Sequence, residues 1–317
     1  ANYAVDTLAP TLAETTLVPS LTNDNSTQYT FSSSEGGTIS IGGSCSSDNN
    51  TAVADNMTVY FVALADGTYS DCTITVTDSA GNTQTISVNT FTIDTVKPVL
   101  AQIIAVTTPT NDNTSSYTFS STEAGNITYG VCSGSPNNAS EDNNTITFDA
   151  LADGTYSNCT ITVTDSAGNS VTRDVNSFTI DTTAPTLAEV TAVTTPTNDN
   201  TSSYTFSSTE AGTISYSVCG GNLDNASADN NTIIFDALAD DTYSDCKISV
   251  TDNANNTSDN LSVSSFTIDT VKPVLTLVTA VTTPTNVTTP SYVFSSNEAG
   301  TNSYGGSCGS STTSATS

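Results

Sequence analysis

Along residues 183–270 the apolar side chains recur at every second position wherever a rhythm can be read, which predicts strands with one buried face. A first strand is expected over 187–193. In SSYTFSS, Tyr204 and Phe206 share a face of the second; in TISYSV, Ile214, Tyr216 and Val218 share a face of the third, which ends at Cys219. A fourth, NTIIFDAL, is expected to have Ile234 and Leu238 flank the core side or its corner. In the next, Cys246, Ile248 and Val250 share a side, and the last runs from Leu261 through Phe266 to Ile268. The segments between them, TTPTNDNT, Glu210-Ala211-Gly212, the irregular stretch 220–229, ALADDTY and TDNANN, are turn chemistry, because Pro presets φ and Asn, Asp and Gly tolerate left-handed backbone. No segment keeps a 3.6-residue period, so helix is expected to be nearly absent. About seven short strands per unit read as an antiparallel β-sandwich.

The same rhythm returns along the chain. Near copies of FTIDTTAPTL stand at Val5–Thr11, Phe91–Leu100, Ser177–Val190 and Phe266–Leu275, and Phe91, Phe178 and Phe266 are spaced by 87 and 88 residues. This spacing exceeds the roughly 40–45 residues of a propeller blade, and the units are too strand-rich for helical repeats. The 317 residues divide into repeats at 1–95, 96–182 and 183–270, with 271–317 matching the front half of a fourth. Ala1 falls inside a repeat junction and Ser291–Ser317 matches only half a unit, so the sequence is expected to be cut from a longer protein.

Charge narrows the partners. Four basic residues against 32 acidic ones give a formal net charge of −28, which repels nucleic acid and anionic membranes and makes divalent cations the natural counterpart. One-signed acidity also simply keeps secreted proteins soluble. There is no apolar run of about 18 residues or more, so no membrane insertion by a spanning helix is expected. The pairs Cys45/Cys72, Cys132/Cys159 and Cys219/Cys246 each stand 27 positions apart, while Cys308 lies in the half unit without a second cysteine. One disulfide per repeat in an oxidising compartment is the economical reading, and each would stabilise its repeat by about 3 kcal/mol in the chain-entropy picture.

The ordered text TNDN, SYTFSSTEAGTIS, ALADGTYSDCTITVTDSAGN and FTIDTTAPTL, recurring along the chain, resembles the bacterial immunoglobulin-like tandem repeats of giant cell-surface adhesins. The resemblance covers essentially the whole chain. It implies tandem immunoglobulin-like sandwiches forming an extended rod, with Ca2+ at the junctions between domains. Two features depart from the common pattern. Such repeats usually lack cysteine, and the immunoglobulin bridge joins the two sheets; here the first cysteine ends the third strand, which puts the bridge within one sheet. Tyr69, Tyr156 and Tyr243 resemble a tyrosine corner, and a plain buried rim tyrosine is the equal alternative.

Catalysis is excluded on supply. The chain has no His, hence no histidine triad and no HExxH zinc site, and it has neither a G-x-S-x-G elbow nor a GxGxxG loop. Carboxylates are plentiful but repeated in every unit. In an immunoglobulin topology the turns of opposite poles meet where one sandwich joins the next. This gathers Asp24, Asp66, Asp94, Glu123 and Asp165 at the first junction, and Asp112, Asp153, Asp181, Glu210 and Asp252 at the second. At the last it gathers Asp199, Asp240, Asp269 and Glu298. Carboxylates so close repel one another unless a cation sits among them, and calcium, which takes six to eight oxygens in flexible geometry, fits best. The alternative is that each Asp makes an Asx-turn to its own backbone.

Two further patterns are weaker. Thr73, Thr75 and Thr77 form an outward row that reads as an ordinary β-branched solvent face rather than an ice-binding or O-glycan array. Many Asn-x-Ser/Thr triplets occur, of which Glu141–Thr145 (EDNNT) also fits the longer acidic bacterial acceptor pattern, although in so Asn- and Thr-rich a chain most matches arise by chance. The expected protein is a non-catalytic stalk or spacer at the bacterial cell surface. Its partners would be neighbouring repeats of its own or identical chains, with any host, surface or glycan ligand met by regions outside this segment. An assembling subunit of an extracellular filament or sheath is the rival reading. A carbohydrate-binding or spacer region of a secreted enzyme comes third, weakened by the absence of Trp.

Overall fold

The computed structural model describes residues 4–317, so the first three positions of repeat one lie outside the described residues. Among the described residues every regular element is a strand, and no helix is long and apolar enough to cross a membrane. Contacts divide the chain into two compact units, Ala1–Thr183 and Ala184–Ser317. The first holds two separate apolar cores, the second one core and the residues beyond it.

Among the described residues the first repeat contains ten strands: β1 (Leu12–Thr16), β2 (Leu21–Thr22), β3 (Gln28–Ser33), β4 (Gly37–Gly42), β5 (Thr51–Ala52), β6 (Asp55–Tyr60), β7 (Gly67–Tyr69), β8 (Thr73–Thr77), β9 (Thr83–Ser87) and β10 (Phe91–Ile93). One antiparallel sheet has the order β1-β3-β6 and the facing one β5-β4-β8-β9. A third, short ladder closes one end, with β10 antiparallel to β7 and parallel to β2.

Side-chain alternation fills the core. Tyr29 and Phe31 from β3, and Ile74 and Val76 from β8, are buried against Val59, Phe61 and Phe91. The opposite faces are laced by threonine hydroxyl pairs across neighbouring strands, Thr30 with Thr58 at 2.9 Å and Thr75 with Thr85 at 2.8 Å, a pairing that favours strand registry. The row Thr73, Thr75, Thr77 is thus the half-buried outer face of β8.

Repeats two and three reuse this order, with differences in the connection after the third strand. In repeat two, Gly134–Ser135 pairs with Asp142–Phe148 and widens the first sheet to four strands. Cys45–Cys72, Cys132–Cys159 and Cys219–Cys246 are disulfide-bonded. Each joins the end of one strand to the start of its sheet neighbour, as in repeat three, where Gly212–Tyr216 pairs with Lys247–Thr251. Each bridge therefore lies within one sheet. Cys308 is free and exposed.

Three strand expectations need correction. Ile234 is not turned to the core: Ile233 and Phe235 are buried and Ile234 is exposed, because the run TIIF fits either parity and the pairing Tyr204↔Ile233 settles it. Val218 is exposed as well, since the strand stops at Tyr216 before the disulfide. The expected single last strand is split into Leu261–Ser262 and Phe266–Ile268, which belong to different ladders.

The physical reason for the split is visible in repeats one and two. Between β9 and β10, Asn89 accepts from Val18 N at 3.0 Å and donates to Val18 O at 2.8 Å, so a side chain replaces the ladder where the chain crosses between sheets. Asn176 does the same with Val106.

In the second unit, residues 271–317 form two short pairs, Leu275–Thr279 with Val293–Ser296 and Gly300–Thr301 with Ser314–Ala315. Tyr292 is 60% exposed, whereas its counterpart Tyr204 is fully buried.

Candidate metal centre

The site is built from three local structures that the repeat carries over. The first is the turn DSAGN at 78–82 and 165–169. Asp165 Oδ1 accepts the backbone N–H of Ala167, Gly168 and Asn169 at 2.8–2.9 Å, and Oδ2 accepts Asn169 Nδ2 at 2.9 Å. Asp78 makes the equivalent bonds to Ala80 and Asn82, and these bonds, led by the Asn82 side chain, hold its carboxyl below the usual range against the opposing effect of burial. The turn needs a left-handed residue at its fourth position: Gly168 has φ +98°, and Asn255 takes that role in DNANN with φ +72°.

The second local structure is the glutamate turn after the buried Tyr-x-Phe strand. Buried Ser121 donates Oγ to Glu123 O at 2.6 Å and accepts Glu123 N at 3.3 Å. Ser33 repeats this at Glu35 and Ser208 at Glu210. The third is the linker after FTI, where Asp94 N donates to Thr22 O at 3.0 Å and Val96 N to Asp94 Oδ1 at 3.1 Å.

Within the first unit these three structures converge. One carboxylate oxygen each of Asp94, Glu123 and Asp165 lies within 4.8 Å of the others, and so do Asp6, Glu35 and Asp78. Asn169 Nδ2 also donates to Asp94 O at 2.8 Å, tying the linker to the second sandwich. Burial, followed by the charges of Asp165 and Asp94, pushes the Glu123 carboxyl above its usual range. The donor set is all oxygen and carries three negative charges, which suits a hard divalent cation such as calcium.

Four further candidates of the first unit, Asp24, Asp66, Asp112 and Asp153, stand outside these groups. Asp24 accepts Ser26 N at 2.9 Å and Asp112 accepts Thr114 N at 2.9 Å, both Asx-turns. Asp66 accepts Thr95 N and Oγ1, each at 2.9 Å. Asp153 takes Thr182 N and Oγ1 and Thr183 Oγ1, and the threonine bonds lower its pKa.

In the second unit, Asp199 and Asp240 make the same local bonds, to Thr201 and Thr270. Asp269 accepts Val271 N at 3.2 Å, as Asp94 does with Val96. Glu298 N donates to Ser296 Oγ at 3.3 Å. Asp252 holds its turn through Ala254 N and Asn256, and Glu210 N donates to Ser208 Oγ at 3.4 Å. At the end of the first unit, Asp181 accepts Thr183 N at 3.2 Å.

Sequence reasoning missed Asp6, Glu35 and Asp78. The signal was present, since VDTLAP, SSEGG and TDSAGN copy the segments that bear Asp94, Glu123 and Asp165. The three tyrosines resolve cleanly: the hydroxyls of Tyr69, Tyr156 and Tyr243 donate to Ala65, Ala152 and Ala239 carbonyls at 2.9, 2.9 and 3.1 Å. Each tyrosine also stacks on the phenylalanine of its FTI segment, so all three are tyrosine corners.

Two facing antiparallel sheets of this order, each pair with its own core and tyrosine corner, define the immunoglobulin-like sandwich, repeated in tandem. Residues 15–95, the greater part of the first repeat, match the model of the bacterial Ig-like domain family. A search of curated proteins finds no match. Among solved structures, the EC3-6 segment of protocadherin gammaB7 is 15% identical with a TM-score of 0.30, over 83% of this chain and 74% of that one. A Salmonella alpha-2-macroglobulin is 8% identical with a TM-score of 0.20, over 94% of this chain and 26% of that one.

Proposed function

We propose that this chain is a stretch of the stalk of an extracellular bacterial surface adhesin or fibre. It carries no active site, and Ca2+ bound between successive sandwiches stiffens it. The observation that supports this reading is the meeting of Asp94, Glu123 and Asp165 within the first unit. Asp94 belongs to the linker, while Glu123 and Asp165 belong to two turns of the second sandwich. A cation shared by all three ties the linker's direction to that sandwich, which limits bending between beads. By the sequence repeat, Asp181, Glu210 and Asp252 are the same three positions one unit further on. Disulfides within the repeats agree with an oxidising, extracellular setting.

The test is small-angle scattering of the full chain with calcium and with a chelator, beside calcium titration calorimetry. Chelation is expected to shorten the maximum dimension, and the double variant Asp94→Asn, Asp181→Asn is expected to stay short in calcium. An unchanged maximum dimension together with no bound ion would sink the reading.

A further inference from the structure

The EDNNT segment of the second repeat is not used by the fold's metal chemistry, and its geometry has a direction. In the strand Asp142–Phe148 the even-numbered side chains Asn144, Ile146 and Phe148 are buried and the odd-numbered Asn143, Thr145 and Thr147 are exposed. Glu141, just before the strand, is exposed as well. The two-residue period of a strand therefore sets Asn143 and Thr145 out toward solvent, and with Glu141 exposed in the turn before them they stand at positions 0, +2 and −2 of an acidic glycosylation acceptor. The middle residue, Asn144, is turned inward and pins the bend: its Oδ1 accepts Ser140 N at 2.8 Å, and its Nδ2 donates to Ser140 O and Asp142 O at 2.8 and 3.0 Å. Asp142 is left-handed there, with φ +77°.

The chain supplies its own controls. The same turn recurs as ADNMT at 54–58 and ADNNT at 228–232, with Asn56 and Asn230 exposed at the position of Asn143. In both, the residue two places before the asparagine is alanine. Among all Asn-x-Ser/Thr triplets of the sequence, Asn143 alone has an acid at −2.

We propose that Asn143 is an N-glycosylation site, modified by an oligosaccharyltransferase that requires the acid at −2. The donor is an oligosaccharide on a polyprenyl diphosphate. The Asn143 amide nitrogen attacks the anomeric carbon, the bond from that carbon to the diphosphate oxygen breaks, and the amide loses one proton as the lipid diphosphate leaves. The product is a β-amide-linked glycan on the outer face of the first sheet of repeat two.

The full chain, with a flexible acidic acceptor tag appended as an internal positive control, is secreted to the periplasm of cells that supply such a transferase and its lipid-linked glycan. Glycopeptide mass spectrometry then maps occupancy. The expected result is a glycan on Asn143 and none on Asn56 or Asn230. Glu141→Gln should lose most of the Asn143 occupancy, and Ala228→Glu should install a glycan on Asn230. A bare Asn143 beside a modified tag overturns the proposal, as does equal occupancy of Asn143 and Asn230 in the unaltered chain.

Discussion

Glu123 sits where burial and two neighbouring carboxylates, Asp165 and Asp94, all favour its protonated form. A carboxyl whose pKa rises on folding holds its proton more tightly in the folded state. Its contribution to stability is thus fully present below the ordinary Glu value of about 4.3 and is lost as pH rises through the folded value. In chelator, the first unit is expected to lose stability from this group as pH rises above about 4.3. Glu123→Gln should flatten that slope and raise the neutral-pH melting temperature by about 2 °C, with no gain at pH 3.5. If the proposed calcium site forms, calcium should reverse the order by stabilising the three-carboxylate form. Differential scanning calorimetry across pH checks this, and a Gln variant that melts lower than the parent in chelator at neutral pH would refute it. The sequence showed which carboxylates recur, but only the fold brings Asp165 together with Asp94 and Glu123 while leaving Asp66 bonded to Thr95.

At the scale of single strands, alternation alone placed Tyr204, Phe206, Ile248 and Val250 inside, and all four are buried. It failed at Thr232–Phe235, where two adjacent isoleucines leave the parity open. The pairing Ser203↔Ile234 and Tyr204↔Ile233 decides it, because Tyr204 is the buried partner. Ile233→Ala is therefore expected to cost about 2–4 kcal/mol, while Ile234→Thr should stay within about 0.5 kcal/mol. Urea unfolding of the two variants ranks them, and the opposite ranking would reject the register. The split of the last strand was equally hidden. Asn89 and Asn176 look like ordinary polar residues in sequence, yet each replaces a ladder partner for Val18 or Val106 at the crossing between sheets.

Across the whole chain, stability is distributed over separate small cores rather than pooled in one. Domains of this size leave little margin, which makes the staple in each one count. Reduction and alkylation of Cys45–Cys72, Cys132–Cys159 and Cys219–Cys246 should cost each sandwich about 3 kcal/mol, seen as a lower urea midpoint. A midpoint that does not move on reduction would count against a stabilising role. The net charge of −28 also favours a cation-loaded over a cation-free state at low ionic strength, since exposed carboxylates repel across about a Debye length.

The amino-acid sequence by itself determined the all-β class, the repeat and its spacing, and the one-disulfide-per-repeat pattern. Each of these follows from local periodicity or from a motif copied in order, which needs no knowledge of distant contacts. Only the tertiary structure decided which carboxylates meet, which of two adjacent isoleucines is buried and where strands change sheets. Those outcomes depend on pairing between segments far apart in the chain. Asp94 and Asp165 stand 71 positions apart in sequence, yet they and Glu123 bring carboxylate oxygens within 4.8 Å of one another.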